Sequence, residues 1–286
     1  MNEQYIKSIW RAFPINEQIH ISDLYSLFQI HYDKDYEFAG ETHNFWECLY
    51  VMDGEVCVSA DERVYNLKSG EIIFHKPLEL HKFTVTSNGG VDVLIFSFSA
   101  EGSLTVWLRD KVFGLSAVQK TLIEAMLMYI QLQKAADVQP QKEYRYLLPY
   151  EHIPNYMQMI VTYFYQLFLS LADEGIVSEV SSARDAMIFG KAIGYLNSNL
   201  DRQPTILEIA RFCNVSESSL KRVFDRYAGM GVHKYLLKLK IKAAMELLQD
   251  GEGVSAVAER VGFSSQSYFS KAFKRETGQN PTEFKR

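Results

Sequence analysis

The chain has little cysteine, no apolar run long enough to cross a membrane, and no excess of positive charge. Its three cysteines, Cys48, Cys57 and Cys213, are odd in number and stand in no metal-binding spacing. That argues against a disulfide framework and suits small core residues in a reducing cytoplasm. The most apolar stretch, Met157 to Leu171, is interrupted by Gln158, Gln166 and Ser170 and falls short of a membrane span. The opening MNEQYIKSIW has no basic segment followed by an apolar run, so no export signal is predicted and a cytoplasmic location is expected. The net charge of −5 would, in a uniform chain, argue against a nucleic-acid partner.

The chain is not uniform. Its 286 residues suffice for two domains, and 47% hydrophobic with 23% charged residues is ordinary for a globular protein. Residues 201–286 hold 15 Lys and Arg against 10 Asp and Glu, whereas residues 1–200 hold 15 against 25. A basic C-terminal part behind an acidic N-terminal part is what a nucleic-acid reader with a separate sensor should show.

The basic part contains one unit twice. The first copy reads ILEIARFCNVSESSLKRVFDRYAG from Ile206 to Gly229, the second VSAVAERVGFSSQSYFSKAFKRETG from Val254 to Gly278. Ala210 matches Ala258 and Val215 matches Phe263; after one inserted residue, Leu220 matches Phe269, Phe224 matches Phe273 and Gly229 matches Gly278. Each copy reads as two short amphipathic helices around a tight turn. Ile206, Ile209, Ala210 and Cys213 keep helical spacing, Asn214-Val215-Ser216 interrupts it, and Leu220, Val223, Phe224 and Tyr227 resume it. The small Ala210 and Ala258 let a second helix cross closely. Asn214 and Gly262 suit the positive φ of such a turn, and Ser216 and Ser264 are placed to cap the helix that follows. This is the helix-turn-helix pattern, whose second helix enters the DNA major groove.

The outward faces of those second helices offer Ser218, Ser219, Lys221, Arg222 and Arg226 in the first copy, and Gln266, Ser267, Ser270, Lys271, Lys274 and Arg275 in the second. Arg, Lys and Gln read base edges or bind phosphate, and Ser does either. One such face alone could be merely solvated. Two in tandem, spaced by a helix predicted over His233 to Leu248, point to double-stranded DNA. Residues 184–286 resemble the DNA-binding domain of the AraC/XylS family of transcriptional regulators. The resemblance rests on KLKIKAAMELL from Lys238 to Leu248, on VAERVGFSSQSYFSKAFKRETGQNP from Val257 to Pro281, and on the ending TEFKR. Lys240 stands where the family more often has Arg, and Asn214 where Gly is usual.

The N-terminal part, from about Ile19 to Phe98, reads as short strands broken by turns. Candidates are Tyr25–Tyr32, Trp46–Met52, Glu55–Ala60, Glu71–Phe74 and Val91–Ser97, with Asp53-Gly54 predicting a hairpin and Gly70 and Asn88-Gly89-Gly90 marking other turns. Both faces are largely apolar, which predicts a closed barrel or sandwich. The pattern His43-xxx-Glu47-xxxxxx-Gly54, followed by Gly70, Pro77 and His81, resembles the two motifs of the cupin barrel, the usual sensor fold of AraC-type regulators. His43, Glu47 and His81 are adequate ligands for a divalent metal. That barrel normally carries a further His at the place of Glu41, so the ligand set is altered, and no metal or other cofactor is assigned. An effector site formed by His43, Phe45, Glu47, His81 and Phe83 is the preferred reading. Phe38 and Trp46 add aromatic surface, and an arm with Phe13, Ile15 and His20 is placed to close over the mouth. A sugar is the leading effector class that the resemblance implies.

Between the two parts lie amphipathic stretches at Ala117–Lys134 and Tyr156–Leu171. Regulators of this family commonly pair through such helices, and the wider apolar belt of the second makes it the favoured dimer contact. Asp173 to Ser182 reads as a linker, and Ala183 to Leu200 as the next helix.

The resulting expectation is an α+β multidomain protein: a cupin-like barrel (1–115), dimerisation helices and linker (116–182), and an all-α domain (183–286) with helix-turn-helix units at 206–229 and 254–278. The resemblance implies a homodimeric regulator, an activator rather than an enzyme, with promoter DNA, a small-molecule effector and RNA polymerase as partners. Two other readings stay open: a metal-dependent cupin enzyme with an accessory DNA-binding tail, and a ligand-free regulator controlled by a partner protein.

Overall fold

Alternating apolar residues on both strand faces build an N-terminal double sheet. The computed structural model describes residues 13–133, 147, 150, 152–172 and 183–284; the predicted linker and the last two residues lie outside them. The strands are β1 (His20–Tyr32), β2 (Trp46–Asp53), β3 (Glu55–Ala60), β4 (Arg63–Lys68), β5 (Glu71–His75), β6 (His81–Val85), β7 (Val91–Glu101) and β8 (Val112–Gly114). A five-stranded sheet in the order β1-β7-β2-β5-β8 packs on a three-stranded sheet β4-β3-β6, with every pairing antiparallel. Leu49 and Val51 of β2 share the space between the sheets with Val56, Val58, Phe83 and Ile95. The alternate residues Cys48 and Tyr50 belong to a second core under the helices.

Those helices are α1 (Ser103–Leu108), α2 (Ala117–Gln133) and α3 (Tyr156–Leu171). Most of the apolar belt of α3, the favoured dimer contact in the sequence, is buried within the chain, although Met159 stays exposed. Phe164 stacks on Phe96 of β7 at 4.4 Å between ring centroids, and Phe168 meets the edge of Phe74 of β5 at 5.3 Å. The reason is that the outer face of the five-stranded sheet is itself aromatic and must be covered. Exposed apolar residues on these helices are Val106 of α1, Val118, Met128 and Leu132 of α2, and Met159 and Leu169 of α3.

Asp53-Gly54 does join β2 to β3, but these strands belong to different sheets, so the predicted hairpin is a corner. Gly54 has φ of 89°, and a Cβ there would lie 2.5 Å from the Gly90 carbonyl oxygen. The hairpin nearby is β3–β4, turned at Asp61 and Glu62. β6 escapes the sequence reading because HKFTV begins with His81 and Lys82, which read as loop yet are both buried.

The C-terminal part is helical: α4 (Arg184–Asn197), α5 (Ile206–Cys213), α6 (Glu217–Ala228), α7 (Val232–Gln249), α8 (Val254–Arg260), α9 (Gln266–Thr277) and α10 (Pro281–Phe284). Thr205 and Glu208 form a reciprocal capping box on α5. Asn214 and Gly262 hold φ of 57° and 66° at the two helix-turn-helix turns, and Ala210 and Ala258 are buried at the crossings. Ser216 caps α6 by accepting from the Ser219 N–H. For α9 the cap is Ser265, accepting from the Tyr268 N–H, rather than Ser264. The residue inserted in the second turn moves the cap one place along. Buried Lys240 donates to the Val261 and Gly262 carbonyls at 2.8 and 3.1 Å, tying α7 to the second turn. Among the described residues, no helix is long and apolar enough to cross a membrane.

Candidate functional site

The open end of the double sheet holds a cavity of ≈ 660 Å³, within the range that takes one small ligand. His43, just before β2, and Phe45 reach it together. Their rings stack at 3.9 Å, and Tyr25 of β1 stacks on the far side of Phe45 at 4.2 Å. Phe38 and Phe83 stack at 5.5 Å on another wall. Glu47 enters from β2, where it pairs with Ser97 of β7; the Ser97 hydroxyl donates to Glu47 Oε2 at 3.2 Å and meets Ser26 Oγ at 2.7 Å. Among the described lining residues there are two carboxylates, Glu41 and Glu47, and no Lys or Arg.

Of the predicted effector residues, His43, Phe45, Glu47 and Phe83 line this cavity, while His81 lies just behind, its Nε2 3.2 Å from Glu47 Oε1. Trp46 does not belong here. Strand alternation turns it to the opposite face, into the core under the helices. The arm residues Phe13, Ile15 and His20 are exposed, Ile15 at 96%, and are absent from the lining. The contributions of β1 (Tyr25, Ser26, Phe28, Tyr32) and of Met157 on α3 were missed. Their residue types carry no chemical signature, and only the pairing of β1 with β7 and the packing of α3 bring them to the site.

The charged groups at the base are strongly coupled. Burial would raise the Glu47 carboxyl, but His43 and His81 outweigh it and hold the group well below the usual carboxylate range. Burial likewise opposes charging of His81, yet the adjacent Glu47 leaves its pKa raised. Behind His81, the ring of His75 stacks at 4.2 Å and its Nδ1 meets Glu79 Oε1 at 2.7 Å. Burial keeps His75 lowered despite that carboxylate. His43 Nδ1 faces the Phe45 carbonyl at 3.0 Å and His81 Nδ1 the Glu79 carbonyl at 3.2 Å, whereas the Nε2 atom of each ring is buried and faces the Glu47 carboxylate, at 3.6 Å for His43 and 3.2 Å for His81.

The second site is the pair of helix faces. Ser218, Lys221, Arg222 and Arg226 on α6, and Gln266, Ser267, Lys271, Lys274 and Arg275 on α9, are exposed; Ser219 and Ser270 are half-buried. The Ser219 hydroxyl is occupied by the Ser216 cap at 3.0 Å. Arg222 and Arg226 lie 3.9 and 3.7 Å from Asp185 on α4.

The two sites are physically joined through β6. His81 and Phe83 face the barrel, and Lys82 between them faces the other way. Lys82 is only 4% exposed, and its ammonium donates to the carbonyls of Asp225 and Arg226 at 3.3 and 3.0 Å, and to Glu37 at 3.1 Å. It thus sits on the C-terminal end of α6, where a cation is favoured. The Ser59 hydroxyl on β3 donates to the next carbonyl, of Tyr227. Beside it, Asp61 accepts from the Leu80 N–H and pairs with Lys242 of α7 at 2.7 Å, and the Tyr235 hydroxyl donates to the Asp61 carbonyl. His43 also borders a second cleft of ≈ 460 Å³, whose far wall is α7, α9 and α10.

A family model described as an AraC-like ligand binding domain matches residues 24–134, and one described as a helix-turn-helix domain matches residues 209–286. The raffinose operon transcriptional regulatory protein RafR of Pediococcus pentosaceus is 30% identical over 143 residues, which are 47% of this chain and 50% of that protein. The HTH-type transcriptional activator RhaR of Shigella flexneri is 24% identical over 253 residues, 87% of each chain. Among solved structures, ToxT of Vibrio cholerae is 13% identical, covering 94% of this chain and 98% of its own, with a TM-score of 0.38.

Proposed function

The chain belongs to the AraC family of transcriptional regulators, and from that premise we propose that a small molecule in the barrel pocket sets how the two recognition helices meet promoter DNA. The observation that carries this reading is the double role of β6. One face of the strand borders the pocket through His81 and Phe83; the other grips the end of α6 through Lys82. A ligand that moves β6 by a fraction of an ångström therefore acts directly on the hydrogen bonds that hold the first helix-turn-helix against the barrel. Such a shift changes function only to the extent that the ligand binds the docked and undocked states differently.

A neutral polyhydroxylated effector suits the pocket best. Stacked aromatics cover the apolar face of a sugar, and Glu41, Glu47 and Ser97 accept from or donate to its hydroxyls. The absence of Lys and Arg from the described lining argues against an anionic ligand. The raffinose operon named for one relative supports the same class, and the activator named for another supports activation as the outcome. Phosphate contacts from the basic faces would supply most of the affinity and base-edge contacts the specificity. A homodimer joined through the exposed apolar residues of α2, with RNA polymerase as a further partner, completes the proposal. The enzyme alternative receives no support from the named relatives, which are transcriptional regulators.

The test is a footprint and a salt-titrated binding isotherm on the DNA upstream of the gene and its neighbours, with and without raffinose and other neutral sugars. A defined footprint at physiological salt whose affinity changes with one sugar supports the reading. A defined footprint indifferent to every small molecule tried favours control by a protein partner instead.

A further inference from the structure

The pocket wall contains an arrangement that binding a neutral effector does not require. We propose that Glu41, His43, Glu47 and His81 form a site for a divalent first-row transition-metal ion whose open coordination positions face the pocket. One donor atom from each of the four side chains can be chosen so that all lie within 4.8 Å of one another. His43 Nε2 lies 3.6 Å from Glu47 Oε2, and His81 Nε2 lies 3.2 Å from Glu47 Oε1. Two ligands about 2.0–2.1 Å from a shared tetrahedral centre are about 3.3 Å apart, so these separations are those of ligand edges.

The orientation of the imidazoles is the second, independent observation. In both rings Nδ1 faces a backbone carbonyl, the outer partner that fixes a metal-binding tautomer and leaves Nε2 as the lone-pair donor. Both Nε2 atoms are buried and aimed into the cluster, where each faces an oxygen of the Glu47 carboxylate, and His81 as a whole is 2% exposed. An ion among the four donors would satisfy both.

Glu41 decides whether the set is complete. The sequence shows Glu where the barrel's usual pattern has His, which reads as the loss of a ligand. The backbone shows a replacement. Glu41 and His81 exchange two main-chain hydrogen bonds of 3.0 and 3.1 Å, which pin residue 41 opposite His81, and its carboxylate lies 4.0 Å from His81 Nε2. Two imidazoles with two carboxylates suit Mn²⁺, Fe²⁺, Co²⁺, Ni²⁺ or Zn²⁺. All-oxygen cages suit Ca²⁺ and Mg²⁺, and thiolates suit Cu⁺. Glu41, His43 and Glu47 also line the cavity, so the ion would be reached from it.

The experiment uses the full chain, dialysed against a chelator and titrated with Co²⁺. The readouts are the visible d–d band, the metal content after gel filtration, and the melting temperature. The expected result is one equivalent per chain, a d–d band typical of mixed nitrogen and oxygen ligands, and a rise in melting temperature. His43→Gln and His81→Gln should each weaken binding by at least about a hundredfold, the upper end of what loss of an outer partner costs. His31→Gln, an exposed residue of β1, should leave binding unchanged. Near-UV circular dichroism and operator binding report whether each variant is folded. Should the histidine variants not fold, Glu41→His decides: a third imidazole should tighten Co²⁺ binding by about tenfold or more. Substoichiometric metal without a d–d band in the wild type would overturn the proposal. So would unchanged binding in both histidine-to-glutamine variants, or in Glu41→His.

Discussion

Replacing Lys82 by Met keeps the aliphatic stem in its buried site and removes only the ammonium that holds the end of α6. Three contacts go with it: the carbonyls of Asp225 and Arg226 and the carboxylate of Glu37. Hydrogen bonds involving a charged group contribute about 1.5–3 kcal/mol each, and a cation at a helix C-terminus up to about 2 kcal/mol. Desolvating the buried ammonium offsets much of that sum. A net loss of about 2 kcal/mol in docking is expected, or about 30-fold in the ratio of docked to undocked molecules. Hydrogen exchange in the full chain measures this directly: amides in the last turn of α6 should exchange about 30-fold faster, while those of α3 should not change. The same variant should lose most of any effector dependence of operator binding, because the link from β6 to the helix is cut. Unaltered protection in α6, together with an unaltered effector response, would refute the coupling.

Other perturbations test the remaining assignments. Arg222→Ala or Lys271→Ala should weaken specific operator binding by about 1–3 kcal/mol if the side chain reads a base; an isotherm unchanged at fixed salt removes that residue from the interface. Glu208, whose carboxyl is held down to about 2 by the Thr205 N–H and hydroxyl and by Arg202, carries a depressed pKa. Its contribution is therefore present above the ordinary value near 4.5 and is lost as pH falls toward 2. Glu208→Gln should be less stable at neutral pH and lack that part of the acid transition, followed by far-UV circular dichroism. Gly262→Ala places a methyl group 2.2 Å from the Asp201 carbonyl oxygen at φ of 66°. It should lower stability by about 2 kcal/mol or more in urea unfolding of the full chain, and an unshifted midpoint would contradict the close approach.

The part of the fold legible in the residues is the part set by local rules. Each helix-turn-helix copy announces itself through neighbours three and four apart, a turn residue tolerant of positive φ, and a cap. Asn214, Ala210 and Ser216 all occupy the conformations their types favour. Within the repeat, Ser264 was read as the cap in place of Ser265 where the second turn gains a residue. The strands bounded by turn residues were readable too, as was the conjunction of His43, Glu47 and His81 through a motif held within about forty residues.

Contacts between distant segments were not readable, because residue type does not say which face of a strand meets which partner. Trp46 and Phe45 are adjacent aromatics, yet alternation sends one to the helices and the other to the pocket. The belt of α3 has the composition of a subunit contact, and only the aromatic outer face of the sheet claims it. Lys82 looks like a solvated charge; burial against the carbonyls of a helix 143 residues away makes it the joint between sensor and reader. A local pattern is enough to specify a helix, a cap and a recognition face. Pairing, burial and docking depend on which surfaces remain uncovered once those elements have formed, and that is a property of the assembled chain.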